Sequence, residues 1–262
     1  MNGVCVEVGG IPILLQTTNA DFQQMLRQRY AGFSSEQAGQ RVVEVRLQAQ
    51  SADNDPDADV TVERRGQAWH IARGDFEAEW NPLNSRGWVR QTANPHSIDT
   101  ALRIIYSLEL VEQGGFLLHS SSLVRNGKAF LFSGVSGAGK TTMSRLAPAD
   151  ATLLTDEISY IRPHDGKYTA YGTPFAGELG KPGENVFAPI DQVFLLAKGP
   201  ENRIDDIDSV TAVRSLLRNV LFFAADAALS RKLLDIGCDF VSRVPVRRLT
   251  FYPDSRVWDL VQ

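Results

Sequence analysis

Over the first hundred residues apolar side chains recur at every second position in short runs. These are VCVEV, IPILL after Gly9 and Gly10, RVVEVRL, and DVTVERRGQAWHIARGDFEAEW, which Gly66 and Gly74 interrupt. A period of two punctuated by glycine predicts short strands in a small, mostly antiparallel meander. Asp21 to Tyr30 breaks that period. Phe22, Met25, Leu26 and Tyr30 fall on one helical face, which predicts a helix packed on its own sheet. In SADNDPDAD, residues 51–59, Asp53, Asp55 and Asp57 alternate as in a calcium loop. Ala58 stands where such a loop needs glycine and Arg64 where it needs a bidentate glutamate, so a solvated hairpin tip is expected instead.

The next stretch, SIDTALRIIYSLELVEQGG, predicts a helix. Ser97 is its N-cap, Ile98, Ala101, Leu102 and Ile105 share one face, and Gly114 and Gly115 stop it. Strand-like and helix-like segments alternate beyond it, which argues for an α/β body. The expected division is an N-terminal α+β region, 1–95, and an α/β domain, 96–262. Asn126-Gly127 between apolar runs is a hairpin signal. A two-residue turn there sets Val124 against Ala129 and Ser122 against Leu131, and brings His119 opposite Gly134. Asp165-Gly166 predicts a second hairpin with Ile161 facing Ala170 and Glu157 falling opposite Pro174. AGELGKPGEN, 176–185, has no apolar period and reads as a mobile flap over a site or as an ordinary loop.

Between these hairpin elements lies LFSGVSGAGKTT. Gly134, Gly139, Lys140 and Thr141 satisfy the G-x-x-x-x-G-K-[ST] phosphate-binding pattern, after the buried-strand run KAFLFS and before the helix former TTMSRL. Several backbone N–H groups must approach a polyphosphate together, so bare positions at Gly134, Gly137 and Gly139 are expected. Lys140 supplies charge for the β- and γ-phosphates and Thr141 a hydroxyl for Mg²⁺. The predicted nucleotide contacts are therefore Gly134, Val135, Ser136, Gly137, Ala138, Gly139, Lys140, Thr141 and Thr142. LLTDE, 153–157, is an apolar run ending in two acids, the form of a second nucleotide motif. With Pro148 ending the intervening helix, that strand is expected immediately beside the loop strand. Thr141, Asp156 and Glu157 are the candidate metal ligands, and Asp156 with His119 the candidate catalytic pair. Lys181, Arg203, Arg243 and Arg247 are further cations that could meet transition-state charge.

Charge and composition narrow the partners. The 262 residues carry a formal net charge of −4 without a basic run, which disfavours nucleic acid. Cys5 and Cys238 have no neighbouring Cys or His at metal-ligand spacing, so neither a disulfide scaffold nor a zinc site is expected and a reducing cytoplasm fits. No charged leader, long apolar leader segment or bilayer-length apolar stretch is present, so a soluble protein without a membrane partner is expected. Self-association stays open.

GGFLLHSSSLVRNGKAFLFSGVSGAGKTTMSRL followed by LLTDE resembles the catalytic domain of HPr kinase/phosphorylase and its relatives, which share a P-loop fold with ATP-dependent phosphoenolpyruvate carboxykinases. The resemblance is specific from Gly114 to Glu157 and looser through YGTPF, APIDQVFLL and PVRRLTFYP. It implies a P-loop kinase core, ATP and Mg²⁺ as cofactors, and transfer of a phosphoryl group to a serine or similar hydroxyl. Asp156 matches the family's general base and His119 the histidine beside it, while Glu157 stands where the family usually has aspartate. An HPr-like protein or a ribosomally made peptide would be the acceptor. The rival readings are a plain ATPase, in which the same carboxylate activates water, and a nucleotide-gated peptide-binding protein. No N-K-x-D guanine motif is present to favour GTP.

Overall fold

The computed structural model describes residues 3–36, 40–49 and 55–261. It is a mixed α/β structure with two sheets, and its contacts divide it into two compact units. One comprises Met1–Glu109 with Phe222–Ser230, the other Leu110–Leu221 with Arg231–Gln262.

The first unit contains β1 (Gly3–Val8), β2 (Ile11–Gln16), helix α1 (Ala20–Arg29), β3 (Arg41–Leu47), β4 (Thr61–Arg65), β5 (Ala68–Arg73), β6 (Phe76–Asn81) and β7 (Arg86–Gln91), and most of α2 (Pro95–Glu112). The seven strands make one sheet in the order β1-β2-β3-β7-β6-β5-β4. Alternating burial along β1, β2 and β6 shows the period of two at work. The meander expectation holds for β4 to β7. By contrast β3 lies parallel to both β2 and β7, because α1 carries the chain back before β3 begins.

Asn19 caps α1 by accepting from the Phe22 amide at 2.8 Å, and Phe22, Leu26 and Tyr30 are buried. No hairpin joins β3 to β4, since β3 sits third in the sheet and β4 at its far edge. The hairpin expected around 51–59 is therefore corrected, and residues 51–54 of that stretch lie outside the described residues.

The helix predicted from Ser97 starts two residues earlier, at Pro95. Proline suits a first helical position because its missing N–H would have no intrahelical partner there. Ser97 is instead inside the helix and donates to Asp75 Oδ2 at 2.5 Å. Further along, Tyr30 donates to Asp99 at 2.6 Å, and Glu109 accepts from Arg41 at 2.7 Å and from the Trp80 indole at 3.1 Å. Each buried acid on this helix thus meets a donor from the unit's own sheet or from α1.

The second unit continues with β8 (Phe116–Arg125), β9 (Lys128–Ser133), α3 (Lys140–Arg145), β10 (Thr152–Thr155), β11 (Ile158–His164), β12 (Lys167–Tyr171), β13 (Phe187–Lys198), β14 (Arg203–Asp206), α4 (Ser209–Leu217), α5 (Ala227–Arg243) and β15 (Val246–Phe251). Both predicted hairpins form in register, with Val124 against Ala129, Ser122 against Leu131, and Ile161 against Ala170. Asn126 and Asp165 have φ of 53° and 48°, and the glycine after each is also left-handed, as a two-residue hairpin turn requires.

The strand β8 is paired on both edges, with β11 and β10 in turn along one and with β9 along the other. Residues 116–119 pair with β11, and residues 120–125 pair with β9. Since β11 pairs with β12, β12 with β13 and β13 with β9, the five pairings close on themselves into a ring. Parallel pairing of β9, β13 and β15 supplies the buried strands behind the glycine-rich loop. The acid-bearing strand β10 pairs with β8, so β8 stands between it and the loop strand, correcting the expected direct adjacency.

Behind β9 lies a core of Phe130, Phe132, Phe194, Phe251 and Trp258, with Met143 of α3 packed into it. Phe132 stacks on Phe194 at 5.5 Å and meets Trp258 edge-on at 5.4 Å. Phe132→Ala is expected to lower the stability of this unit by about 3–5 kcal/mol, the cost of removing a buried aromatic. The fall in urea midpoint, with hydrogen exchange at β9 as the local probe, checks this.

Candidate functional site

The site is assembled where the ladder of β8 and β9 runs out. Its last pair is Ser120 with Ser133, and the next positions are His119 and Gly134. On the other side of β8, His119 pairs with Ile158, directly after the acids Asp156 and Glu157. Three bonds fix the backbone here. The His119 amide donates to Asn219 at 2.7 Å, Ser133 Oγ donates to the His119 carbonyl at 3.0 Å, and the Ser120 amide donates to the Glu157 carbonyl at 3.0 Å. One strand thus holds His119 between the start of the loop and the paired acids.

The loop glycines act for different reasons. Gly139 has φ +111°, and a Cβ there would lie 2.4 Å from the ring of Phe251. Gly134 packs on Ala138, which a Cβ would approach to 2.8 Å, so this position is bare because the loop closes on itself. Only Gly137, at φ +74°, has open space around its missing Cβ. The expectation that all three are bare for the sake of a ligand is corrected accordingly. Val135 is exposed at the loop tip, and Ser136, Thr141 and Thr142 flank the turn into α3.

Lys140 is buried, and its Nζ donates to the carbonyls of Gly134 at 3.0 Å and Val135 at 3.2 Å. Ser121 Oγ on β8 donates to the Lys140 carbonyl at 3.1 Å, tying the start of α3 to the strand that carries His119. Burial pulls the Lys140 pKa below its ordinary value, and the charges of Glu178 and Glu157 oppose that pull. The imidazole of His119 is likewise held below its ordinary value, first by burial and then by the charge of Lys140, against the Glu157 backbone. These mutual effects identify Lys140, His119, Glu157 and Glu178 as one electrostatic neighbourhood.

Asp156 is 3% exposed and both its carboxylate oxygens are engaged. Oδ1 accepts from the Gly177 amide at 2.9 Å and Oδ2 from the Leu179 amide at 2.7 Å. Gly177 is packed so closely that a Cβ would lie 2.9 Å from the Asp156 carboxylate and 2.8 Å from Glu157.

The segment read as a flap is pinned elsewhere too. The Glu184 amide donates to Leu153 at 2.8 Å, that of Gly183 to Thr173 at 3.0 Å, and that of Thr173 to Leu154 at 3.0 Å. A Cβ on Gly183 would collide with the Leu154 carbonyl at 1.7 Å. Residues 173–184 therefore cover the outer edge of β10 as an anchored strap.

The strap carries what the sequence reading missed. Gly177, Glu178 and Leu179 showed no periodicity, and the signal that could have found them is the glycine spacing in GELG. Ser121 and Ser133 were signalled only by hydroxyls within apolar strands. Of the four further cations, Arg203 pairs with Asp205 and Arg247 with Asp206, both at 2.9 Å. Arg243 pairs with Asp239 and donates to the Gly166 carbonyl, at the hairpin end away from His119, and Lys181 is exposed.

Among the described residues no cluster of three His, Cys, Asp or Glu is arranged to hold a metal. Thr141, Asp156 and Glu157 offer instead one hydroxyl and two carboxylates, the donor types of a cation that is held together with substrate phosphates. Cys5 and Cys238 are free, and no helix among the described residues is long and apolar enough to cross a membrane.

A titration tests the neighbourhood. Because the folded state disfavours protonated His119, the unfolded chain binds the proton more readily, and this residue's contribution to stability is lost as pH falls through 6.5. The His119 ring resonances should titrate below 6.5, and Lys140→Met should move that midpoint upward. A midpoint insensitive to Lys140 would separate the two groups.

Comparison with known proteins adds three findings. No curated protein matches the chain. Among solved structures, the Hpr(Ser) kinase/phosphatase from Coxiella burnetii is 14% identical over 48% of this chain and 88% of its own, with a TM-score of 0.27, too low to carry an argument about fold or chemistry. Residues 89–262 match the family model described as SynChlorMet cassette protein ScmC. That match spans the glycine-rich loop, His119, the paired acids and the strap, well over half of the sequence, and the chain accordingly belongs to the ScmC family.

Proposed function

We propose that the chain is an ATP-dependent kinase with a P-loop kinase core, which transfers the γ-phosphoryl group to a hydroxyl, most simply a serine, of a protein or peptide. The observation that supports this best is the place of His119 on β8, one position past the last pair with the loop strand and paired with Ile158 just after Asp156 and Glu157. A phosphate site, an imidazole and two acids then converge within one unit. An HPr-like protein or a ribosomally made peptide is the acceptor class, and the reaction belongs to the cytoplasm.

Phosphoryl transfer needs charge neutralisation, in-line placement and a destination for the hydroxyl proton. The loop amides from Gly134 to Thr142 and the ammonium of Lys140 would hold the triphosphate, Lys140 exchanging its two carbonyl partners for phosphate oxygens. Thr141 with Asp156 or Glu157 would hold Mg²⁺, which when bound offsets negative charge on the phosphates. Asp156 takes the proton from the acceptor hydroxyl as its oxygen bonds to the γ-phosphorus, and the bond from that phosphorus to the ADP oxygen breaks. His119, kept largely neutral near pH 7 by burial and by Lys140, can accept a hydrogen bond or pass that proton onward. Beside the strap lies a cavity of about 570 Å³ whose walls include Leu153, Leu179, Lys181 and Glu184, a size and a mixed lining that suit a short peptide segment.

With γ-labelled ATP and a candidate peptide, label on the peptide supports the kinase. Free phosphate alone supports an ATPase, and binding without turnover supports a nucleotide-gated receptor. Lys140→Ala should lose nucleotide affinity or turnover while keeping the wild-type circular dichroism, and unchanged ATP binding would overturn the phosphate assignment. Asp156→Asn should bind ATP but transfer phosphate roughly a hundredfold or more slowly, the range for loss of a general base. Single-turnover rates check this, and near-normal transfer would remove Asp156 from that role.

A further inference from the structure

Two contacts in the strap have no part in the mechanism above. The amides on either side of Glu178 both donate to Asp156, one to each oxygen, at 2.9 and 2.7 Å. This fixes the backbone of Glu178 against the paired acids. The exposed Glu178 side chain is then an anionic neighbour of Lys140 together with Glu157. Lys140 itself is turned onto the carbonyls of its own loop. Every charged group that the proposed reaction uses for phosphate or metal is thus already engaged within the chain.

We infer that Gly177–Leu179 is a latch on the site, closed over Asp156 by two backbone amides and presenting Glu178 to the lysine of the loop, and that it must release for a nucleotide–metal complex to be seated. The inference rests on the reading of the loop as a nucleotide site. A triphosphate brings several negative charges to Lys140, where Glu178 repels them, and a cation drawn to Asp156 competes with the two amides for its oxygens.

Release has a defined path, because the flanking anchors are separate. Glu184 and Gly183 hold the far side of the strap to Leu153 and Thr173, and Thr173 holds the near side to Leu154. The peptide from 176 to 182 can therefore lift between fixed ends. Gly180, at φ +67° with open space around it, gives this stretch a residue free to change conformation. Leu179 also lines the adjoining cavity, so opening the latch reshapes the place where an acceptor peptide would lie. The strap would then couple filling of the nucleotide loop to access for the acceptor.

Amide exchange at Gly177 and Leu179, read by NMR, tests the latch directly. Both amides should be protected in the chain alone, lose that protection in Asp156→Ala, and lose it in the wild type on saturation with ATP and Mg²⁺, with binding followed separately by calorimetry. Binding with protection unchanged overturns the inference and leaves the nucleotide reading standing. No binding heat overturns the nucleotide reading, and release by nucleotide falls with it, while the comparison with Asp156→Ala still reports on the hydrogen bonds. Glu178→Gln, at an exposed position, keeps the test independent of how well Asp156→Ala folds. It should tighten binding of ATP without metal several-fold, more at low salt, and equal or weaker affinity overturns the inference.

Discussion

The pairing of β8 on both of its edges is the constraint on which the second unit depends. A buried strand must pair every backbone amide and carbonyl, and β8 does so with β11 and β10 in turn along one edge and with β9, then Asn219 and Leu221, along the other. On the β9 edge the ladder ends at Ser120, and the His119 amide turns to the Asn219 carbonyl. The side chains nearest that end are hydroxyls and an imidazole rather than the aliphatic groups found on either side. Ser159 Oγ donates to the Ser120 carbonyl at 3.3 Å and Ser133 Oγ to the His119 carbonyl at 3.0 Å, so small polar side chains serve backbone carbonyls where the ladder runs out. Polar chemistry is tolerated in the middle of an apolar ring because the end of the ladder leaves backbone groups for it to serve.

Charge at the site follows the same logic of burial and compensation. An ammonium removed from water is costly, and Lys140 recovers part of that cost from two loop carbonyls and from the field of two glutamates. Asp156, almost fully buried, recovers its cost from two amides of the strap. The two charges are thus compensated by neutral backbone dipoles and by more distant charges. Neither charge has a direct ion-pair partner in these contacts, whereas pulling a buried ion pair apart would leave a charge uncompensated.

The first unit handles its buried acids differently. Asp99 meets Arg29 at 2.5 Å and the Tyr30 hydroxyl, Glu109 meets Arg41, and Asp75 meets Arg73 at 2.5 Å. These are direct ion pairs; the first two join α2 to α1 and to the sheet, and the third, within the β5–β6 turn, reaches α2 through the Ser97 and Thr100 hydroxyls. They fix the position of α2 along the sheet, since sliding the helix by one turn would strand an unpaired carboxylate in an apolar layer. This is structural use of charge, in contrast to the backbone contacts around Lys140.

The sequence by itself determined what depends on neighbours along the chain. Alternation marked the strands, and Asn126-Gly127 and Asp165-Gly166 set both hairpin registers, the first of which carries the ladder to Ser120 and Ser133, one position short of His119 and Gly134. The glycine-lysine pattern announced the loop because its positive-φ turns at Gly137 and Gly139 are local needs, although the distant ring of Phe251 also requires Gly139 to be bare. Only the tertiary structure decided that β8 separates β10 from the loop strand, that β3 and β4 lie apart in their sheet, and that the strap fastens to Asp156. Those outcomes depend on which distant backbone groups remain unpaired once the local elements have formed. A segment such as GELG, whose contribution is two amides rather than side chains, leaves almost no trace of that in its residue types. Ser97 shows the same limit on a smaller scale: its type suits a helix cap, but a buried acid twenty-two positions away claims its hydroxyl, and the helix begins at Pro95. Local sequence fixes turns and periods because their energies are local, whereas strand order and backbone latches are settled by satisfying hydrogen bonds across the whole fold.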